Sequence, residues 1–220
     1  KGNPRKSYTK VWKRTVDLYN ALVQSPGSMS AEYAAKSHFM LIEKEMREFE
    51  KFQIRGGQKR IDAKIKEGAE QVKELESRYR QIQKYRRPEW SLAAEFRIGY
   101  AYEVYAKALL NIPVPPLDRE TEKILRQLPP EDRELVMIEY EDKFRAALEE
   151  VVAGAEEKAQ AEYKIAVELA RKGNISNTWT LNALERMNAY DPDAYPRQHN
   201  GVTEMEKNTF AAPPWAAEVK

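Results

Sequence analysis

From Pro88 to Leu110 the chain places Trp90, Ala93, Ala94, Phe96, Ile98, Tyr100, Ala101, Tyr102, Val104, Tyr105, Ala108 and Leu109 around nearly the whole circumference of a helix. A helix with that distribution has almost no face to give to water, so other elements must cover it on more than one side. Its tyrosines are expected to bring the rim of the helix to solvent. No other stretch alternates apolar and polar residues long enough to supply a sheet, and β-branched runs are scarce. The covering elements must therefore be helices, and the fold class is all-α. Charged residues make up 33% of the chain and hydrophobic ones 42%, which suits an elongated body with much exposed surface better than one compact sphere.

Glycine and proline mark where those helices begin and end. The pattern predicts a helix over 7–23 that ends before Ser25-Pro26-Gly27, and a second from an N-cap at Ser30 to about Arg55, closed by Gly56-Gly57. A third is predicted over 59–85, with Ile65, Gly68, Val72, Leu75, Tyr79 and Ile82 as a narrow apolar seam and a charged back. Pro88 opens the fourth, over 89–110. Asn111–Leu117 contains three prolines and cannot be helical. A short helix over 119–128 and a long one over 131–172, with a possible bend at Gly154, follow on either side of Pro129-Pro130. Gly173-Asn174 stops the long helix, and Asn177 caps a last one over 177–190. Long helices joined mostly by short turns give antiparallel neighbours. Residues 1–191 are read as one helical-repeat domain, divisible near 56–57 or 112–118, and 192–220 as an irregular, extended tail.

Net charge is +2, but its distribution is uneven. Lys51–Arg87 holds twelve basic and five acidic residues, and Asp118–Glu168 fifteen acidic and eight basic. The two regions either pair, within the chain or between neighbours, or are separate solvated faces. There are no cysteines, which removes disulfides and thiolate chemistry. No apolar run approaches the roughly 20 residues that span a bilayer.

Two segments resemble tetratricopeptide repeats, which pair two helices in about 34 residues. Ile98-Gly99 with Tyr102 is similar to the first-helix pattern, and Ala159, Tyr163, Ala166 and Val167 to the second-helix pattern. The chain departs from the family where the proline loop follows the first pattern and where its helices exceed the repeat length. A narrower resemblance rests on four segments in order. They are Pro88–Tyr100, Leu109–Pro116, Glu156–Tyr163, and Gly173–Trp179 with Ala183-Leu-Glu185 and Asp191-Pro192. In that order they resemble the end of long tetratricopeptide-like envelope proteins of deltaproteobacteria, of the myxobacterial gliding-motility type. The resemblance implies antiparallel hairpins stacked as a solenoid, a scaffold in the periplasm or at the outer membrane, and no catalytic residues.

Little in the sequence points to an active site. His38 sits mid-helix between Ala34 and Met40 and reads as structural, and His199 lies in the tail. There is no Glu-x-x-His, no His-Glu-x-x-His, no phosphate-binding glycine loop and no Gly-x-Ser-x-Gly. No catalytic, metal or cofactor residues are assigned. Lys59, Arg60, Lys64, Lys66, Lys73, Arg78, Arg80, Lys84, Arg86 and Arg87 line a basic helix that would meet phosphates in a nucleic-acid reading. Their interleaving with acids fits a solvated coiled-coil-like face equally.

The function expected from the sequence is a non-catalytic interaction scaffold that joins protein subunits of a bacterial envelope assembly, with membrane contact at most indirect. The alternatives are an intracellular helical adaptor, which would be cytoplasmic, and a nucleic-acid-binding helical protein. Candidate partner contacts are Phe210, Pro213, Pro214 and Trp215 of the tail, where two aromatics flank a stiff Pro-Pro, and Tyr100, Tyr102 and Tyr105 of the apolar helix. Core packing is the competing role for at least two of the tyrosines.

Overall fold

A computed structural model describes residues 4–196, with side chains from Tyr8 onward. These residues form seven helices and no strand: α1 (Pro4–Ala21), α2 (Met29–Phe49), α3 (Gln58–Arg80), α4 (Pro88–Leu110), α5 (Arg119–Gln127), α6 (Pro130–Gly173) and α7 (Thr178–Tyr190). A 3-10 turn, Gln81–Tyr85, extends α3.

Local chemistry sets most of the ends. Asp118 accepts from the backbone of Glu120 and Thr121 at the start of α5, and Asn177 accepts from Thr180 at the start of α7. Pro88 and Pro130 open α4 and α6, where a missing N–H costs nothing. Asn174 takes a left-handed conformation (φ 48°) and the amide of Ile175 returns to the Ala170 carbonyl, closing α6.

Helix α1 lies two to three residues earlier than expected at each end, and three further boundaries differ for a reason that the packing gives. Ser28, not Ser30, caps α2 by accepting from the Ala31 amide. Helix α2 stops at Phe49, six residues before Arg55. Continuing it would swing Ile54 about 140° away from the Phe49 face; the break instead buries Ile54 and stacks Phe52 on Phe49. The end of the third helix tightens to a 3-10 turn because three residues per turn put Tyr79, Ile82 and Tyr85 on one face, and all three are fully buried.

Contacts between named residues give the directions. Tyr79 meets Glu43 and Phe52 lies at Gly68, so α2 and α3 are antiparallel. Arg80 meets Glu95 and Tyr105 reaches the Ile65 carbonyl, so α3 and α4 are antiparallel. Tyr163 lies against Gly99, and Arg145 donates to the Ile112 carbonyl just past α4, so α6 runs back along α4. Trp179 packs on Phe96 and Arg186 pairs with Glu103, which sets α7 parallel to α4. Helices α2, α4 and α7 thus share one direction, and α3 and α6 the other.

One buried cluster runs from Tyr19 to Met187, across both proposed points of subdivision. Phe39 is its aromatic junction, with ring centroids 5.6 Å from Tyr79, 5.4 Å from Trp90 and 5.6 Å from Trp179. As its composition demands, α4 is covered by α2, α3, α6 and α7.

Helix α6 has 44 residues, and at 1.5 Å per residue it is about 66 Å long. It passes Gly154 unbroken, and a Cβ there would meet nothing within 4 Å. Gly154→Ala is therefore expected to stabilise the fold by about 1 kcal/mol through helix propensity alone. A urea titration measures it, and a loss of stability would show that the glycine is needed.

Candidate interaction surfaces

The first half of α6 runs past the end of α4, with α5 beside it. Its residues from Glu131 to Glu139 are all exposed. Tyr140 ties its base to the proline loop by donating to the Pro115 carbonyl, 3.2 Å. Among these exposed residues are large apolar ones: Ile124 on α5, and Leu135, Val136, Met137 and Ile138 on α6. Acids surround them, with Glu131, Asp132 and Glu134 in the first turns of α6. Among the described residues, such an arm has little apolar cover for its length.

The three tyrosines of α4 part company. Tyr102 is buried and donates to Glu76, 2.7 Å; Tyr105 is buried and donates to the Ile65 carbonyl, 2.9 Å. Burial raises both phenol pKa values. Tyr100 alone keeps partial exposure. It stacks on Phe96, lies 5.3 Å beneath the Arg97 guanidinium and lines a 440 Å³ cleft with Glu50, Arg55, Lys107 and Asn111. Phe210, Pro213, Pro214, Trp215 and His199 lie outside the described residues.

The basic helix is partly committed inside the protein. Arg78 pairs with Glu45, Arg87 with Glu32, Lys64 with Glu67, and Arg80 with three carboxylates. Lys59, Arg60, Lys66, Lys73, Lys84 and Arg86 remain exposed.

The charges buried between helices are the residues that sequence reasoning missed. Arg80 of α3 meets Glu95 of α4 at 3.0 Å, Glu162 of α6 at 2.5 Å and its own helix's Glu76 at 3.2 Å. Gln83 also donates to Glu95. Glu43 accepts from Tyr79 at 2.7 Å and from Arg97 at 2.6 Å. Glu103 accepts from Tyr163 at 2.6 Å and from Arg186 at 3.1 Å. Glu32 accepts from the Trp90 indole at 2.6 Å. Apart from Arg80–Glu76, each pair joins separate elements, and a buried charge left without its partner costs several kcal/mol. One signal was present: Glu95 has no basic residue three or four positions away on its own helix, where a side chain could face it, so its cation has to come from another.

Two groups give the fold a pH dependence. Burial, with Lys84 and Arg78 nearby, lowers His38 from 6.5 to about 4, and its Nδ1 hydrogen-bonds the Tyr85 hydroxyl. Between those values the unfolded chain binds the proton more readily, so stability falls as pH drops. Glu162 has the opposite sign. Burial and a hydrogen bond with Glu95 raise it from 4.5 to about 7 against the pull of Arg80, and its Oε2 has no hydrogen-bond partner. Its contribution is full below the unfolded value and is lost as pH rises toward 7. His38→Gln is expected to flatten the acid limb of a stability profile and Glu162→Gln the neutral limb, each by on the order of 2 kcal/mol. Urea titrations at a series of pH values check this, and limbs unchanged in both variants would place the titration elsewhere.

No family model matches this chain, and the searches of curated proteins and of solved structures found no match. Among the described residues no helix is long and apolar enough to cross a membrane, and no cluster of side chains is suited to a metal ion.

Proposed function

We propose that this chain is a non-catalytic interaction scaffold of tetratricopeptide-like helical hairpins, a subunit of a bacterial envelope assembly such as a motility complex. The observation that carries the reading is the arm of α5 and the first half of α6, where Ile124, Leu135, Met137 and Ile138 stay exposed beside a well-buried body. Proteins that act alone rarely leave such a run uncovered. The hairpin part of the reading is supported by the two repeat-like segments, which face each other. A Cβ on Gly99 would lie 2.8 Å from the Tyr163 ring and 3.0 Å from the Ala159 carbonyl. Small residues at that crossing permit close approach of two helices, the packing on which stacked hairpins depend. The envelope setting rests on the resemblance of the four segments described above. The strongest catalytic-looking pair, Glu95 and Glu162, is buried with both carboxylates paired to Arg80, which favours a structural role for it.

The test is affinity capture from native envelope extract with the full chain, a version truncated after Arg197, and Leu135→Asp/Ile138→Asp. The arm variant is expected to lose specific envelope proteins while its own stability changes by less than about 0.5 kcal/mol. Loss on truncation instead would make the tail the docking element. Salt-sensitive retention of polyanions by all three, with no protein bound, would overturn the scaffold reading in favour of the basic helix.

A further inference from the structure

Helix α1 carries a second uncovered stripe. Tyr8, Val11, Leu18 and Leu22 fall on one flank at helical spacing and are 59%, 57%, 47% and 63% exposed. The adjoining flank carries Tyr19, which is buried, and Trp12 and Val16, which are half-buried; α1 packs on α2. Five basic residues and one acidic residue occupy this helix. The arm, from Asp118 to Asp142, has nine acidic and four basic. Among the described residues neither surface touches the other, since α1 packs on α2 whereas α5 packs on α6.

We propose that the arm of one copy docks on the α1 stripe of a second copy, head to tail. The proposal rests on the scaffold reading and takes another copy of this chain as one of the proteins held. Three observations converge on this pairing. Both surfaces present large apolar side chains on helices, so ridges of one can enter grooves of the other. Their charges are opposite, which favours encounter and orientation. Pairing like with like would instead set arm acids against arm acids, or α1 cations against α1 cations. The arm is also itself a helical hairpin, with Thr121 of α5 and Tyr140 of α6 lining one cleft, and α1 packs on no described helix other than α2. A contact of this kind joins two different surfaces, so a pair of copies keeps one arm and one α1 stripe free, and association continues into a ring or a filament.

Light scattering and sedimentation of the purified full chain test this over a range of concentration and salt. The mass is expected to rise from 25.5 kDa toward multiples of it with concentration, and to fall back as salt screens the charges. Val11→Glu/Leu18→Glu and Leu135→Lys/Ile138→Lys, all at exposed positions, are each expected to be monomeric. Mixed together they should form a 1:1 dimer, because one retains an intact arm and the other an intact α1. As a check that does not disrupt either surface, Leu18→Cys mixed with Ile138→Cys should cross-link between the two chains in preference to either alone. This design is clean because the chain has no native cysteine.

A monomer at every concentration overturns the proposal, as does a mixture that fails to dimerise. Binding of monomeric chain to phosphatidylglycerol vesicles, lost in the α1 variant, would assign the stripe to a membrane surface instead. A monomeric chain that still captures other envelope proteins would leave the scaffold reading standing without this contact. A self-associating chain that captures nothing else would do the reverse.

Discussion

Arg80→Ala is expected to lower stability by about 3–5 kcal/mol near neutral pH, because it strands two buried carboxylates at once. Glu95 is 1% exposed and would keep only the neutral Gln83 amide, and buried Glu162 pairs with the other terminal nitrogen of the same guanidinium. Glu76 suffers less, since it keeps the Tyr102 hydroxyl. The loss should shrink as pH falls toward about 5, because Glu162 is already displaced toward about 7 and a protonated carboxyl needs no cation. Adding Glu95→Gln and Glu162→Gln to the Arg80→Ala chain should recover most of the stability, since buried neutral amides do not require the cation. Urea titrations of the three chains near pH 8 and pH 5 measure this. A deficit of equal size at both pH values, or no recovery in the triple variant, would mean that Arg80 acts through packing of its stem rather than through its charge.

Gly99→Val is expected to cost about 3 kcal/mol, at the upper end for overpacking a close contact. The first added carbon already falls 2.8 Å from the Tyr163 ring, and the Ala159 carbonyl behind it is backbone that cannot turn aside. Tyr163 is itself fully buried and held by Glu103 at 2.6 Å, so the ring has nowhere to go. Helix propensity acts the other way, worth about 1 kcal/mol for glycine to alanine, so Gly99→Ala should lose less. Gly154→Ala on the partner helix should gain. Thermal or urea melts of the three variants rank them. If Gly99→Val were as stable as the parent, α4 and α6 would have to separate freely, and the close crossing would not be what holds the hairpin.

The glycine at this crossing was legible in part. Gly99 stood out in the sequence within a repeat-like pattern, and Tyr163 within another, but their meeting required the intervening proline loop and arm to fold back over some sixty residues. The same division runs through the site. That two of Tyr100, Tyr102 and Tyr105 would pack inside followed from the apolar girth of α4. Which two did not, because the choice depends on where Glu76 and Ile65 of α3 come to lie. The arm was read as two ordinary helices, since nothing in the pattern of Arg119–Ala146 says that α4 ends before it can cover them.

The all-helical class, the order and approximate bounds of the helices, and the burial of α4 are all legible in the linear chain. Those depend on interactions within a turn or two: caps, prolines, left-handed stops and the apolar period. Packing between helices set the early end of α2, the 3-10 finish of α3, the joining of Arg80 to Glu95 and Glu162, and the exposure of the arm. Each of these turns on which distant side chain occupies the neighbouring space, and charge pairs and packing across helices leave no period in the sequence that builds them.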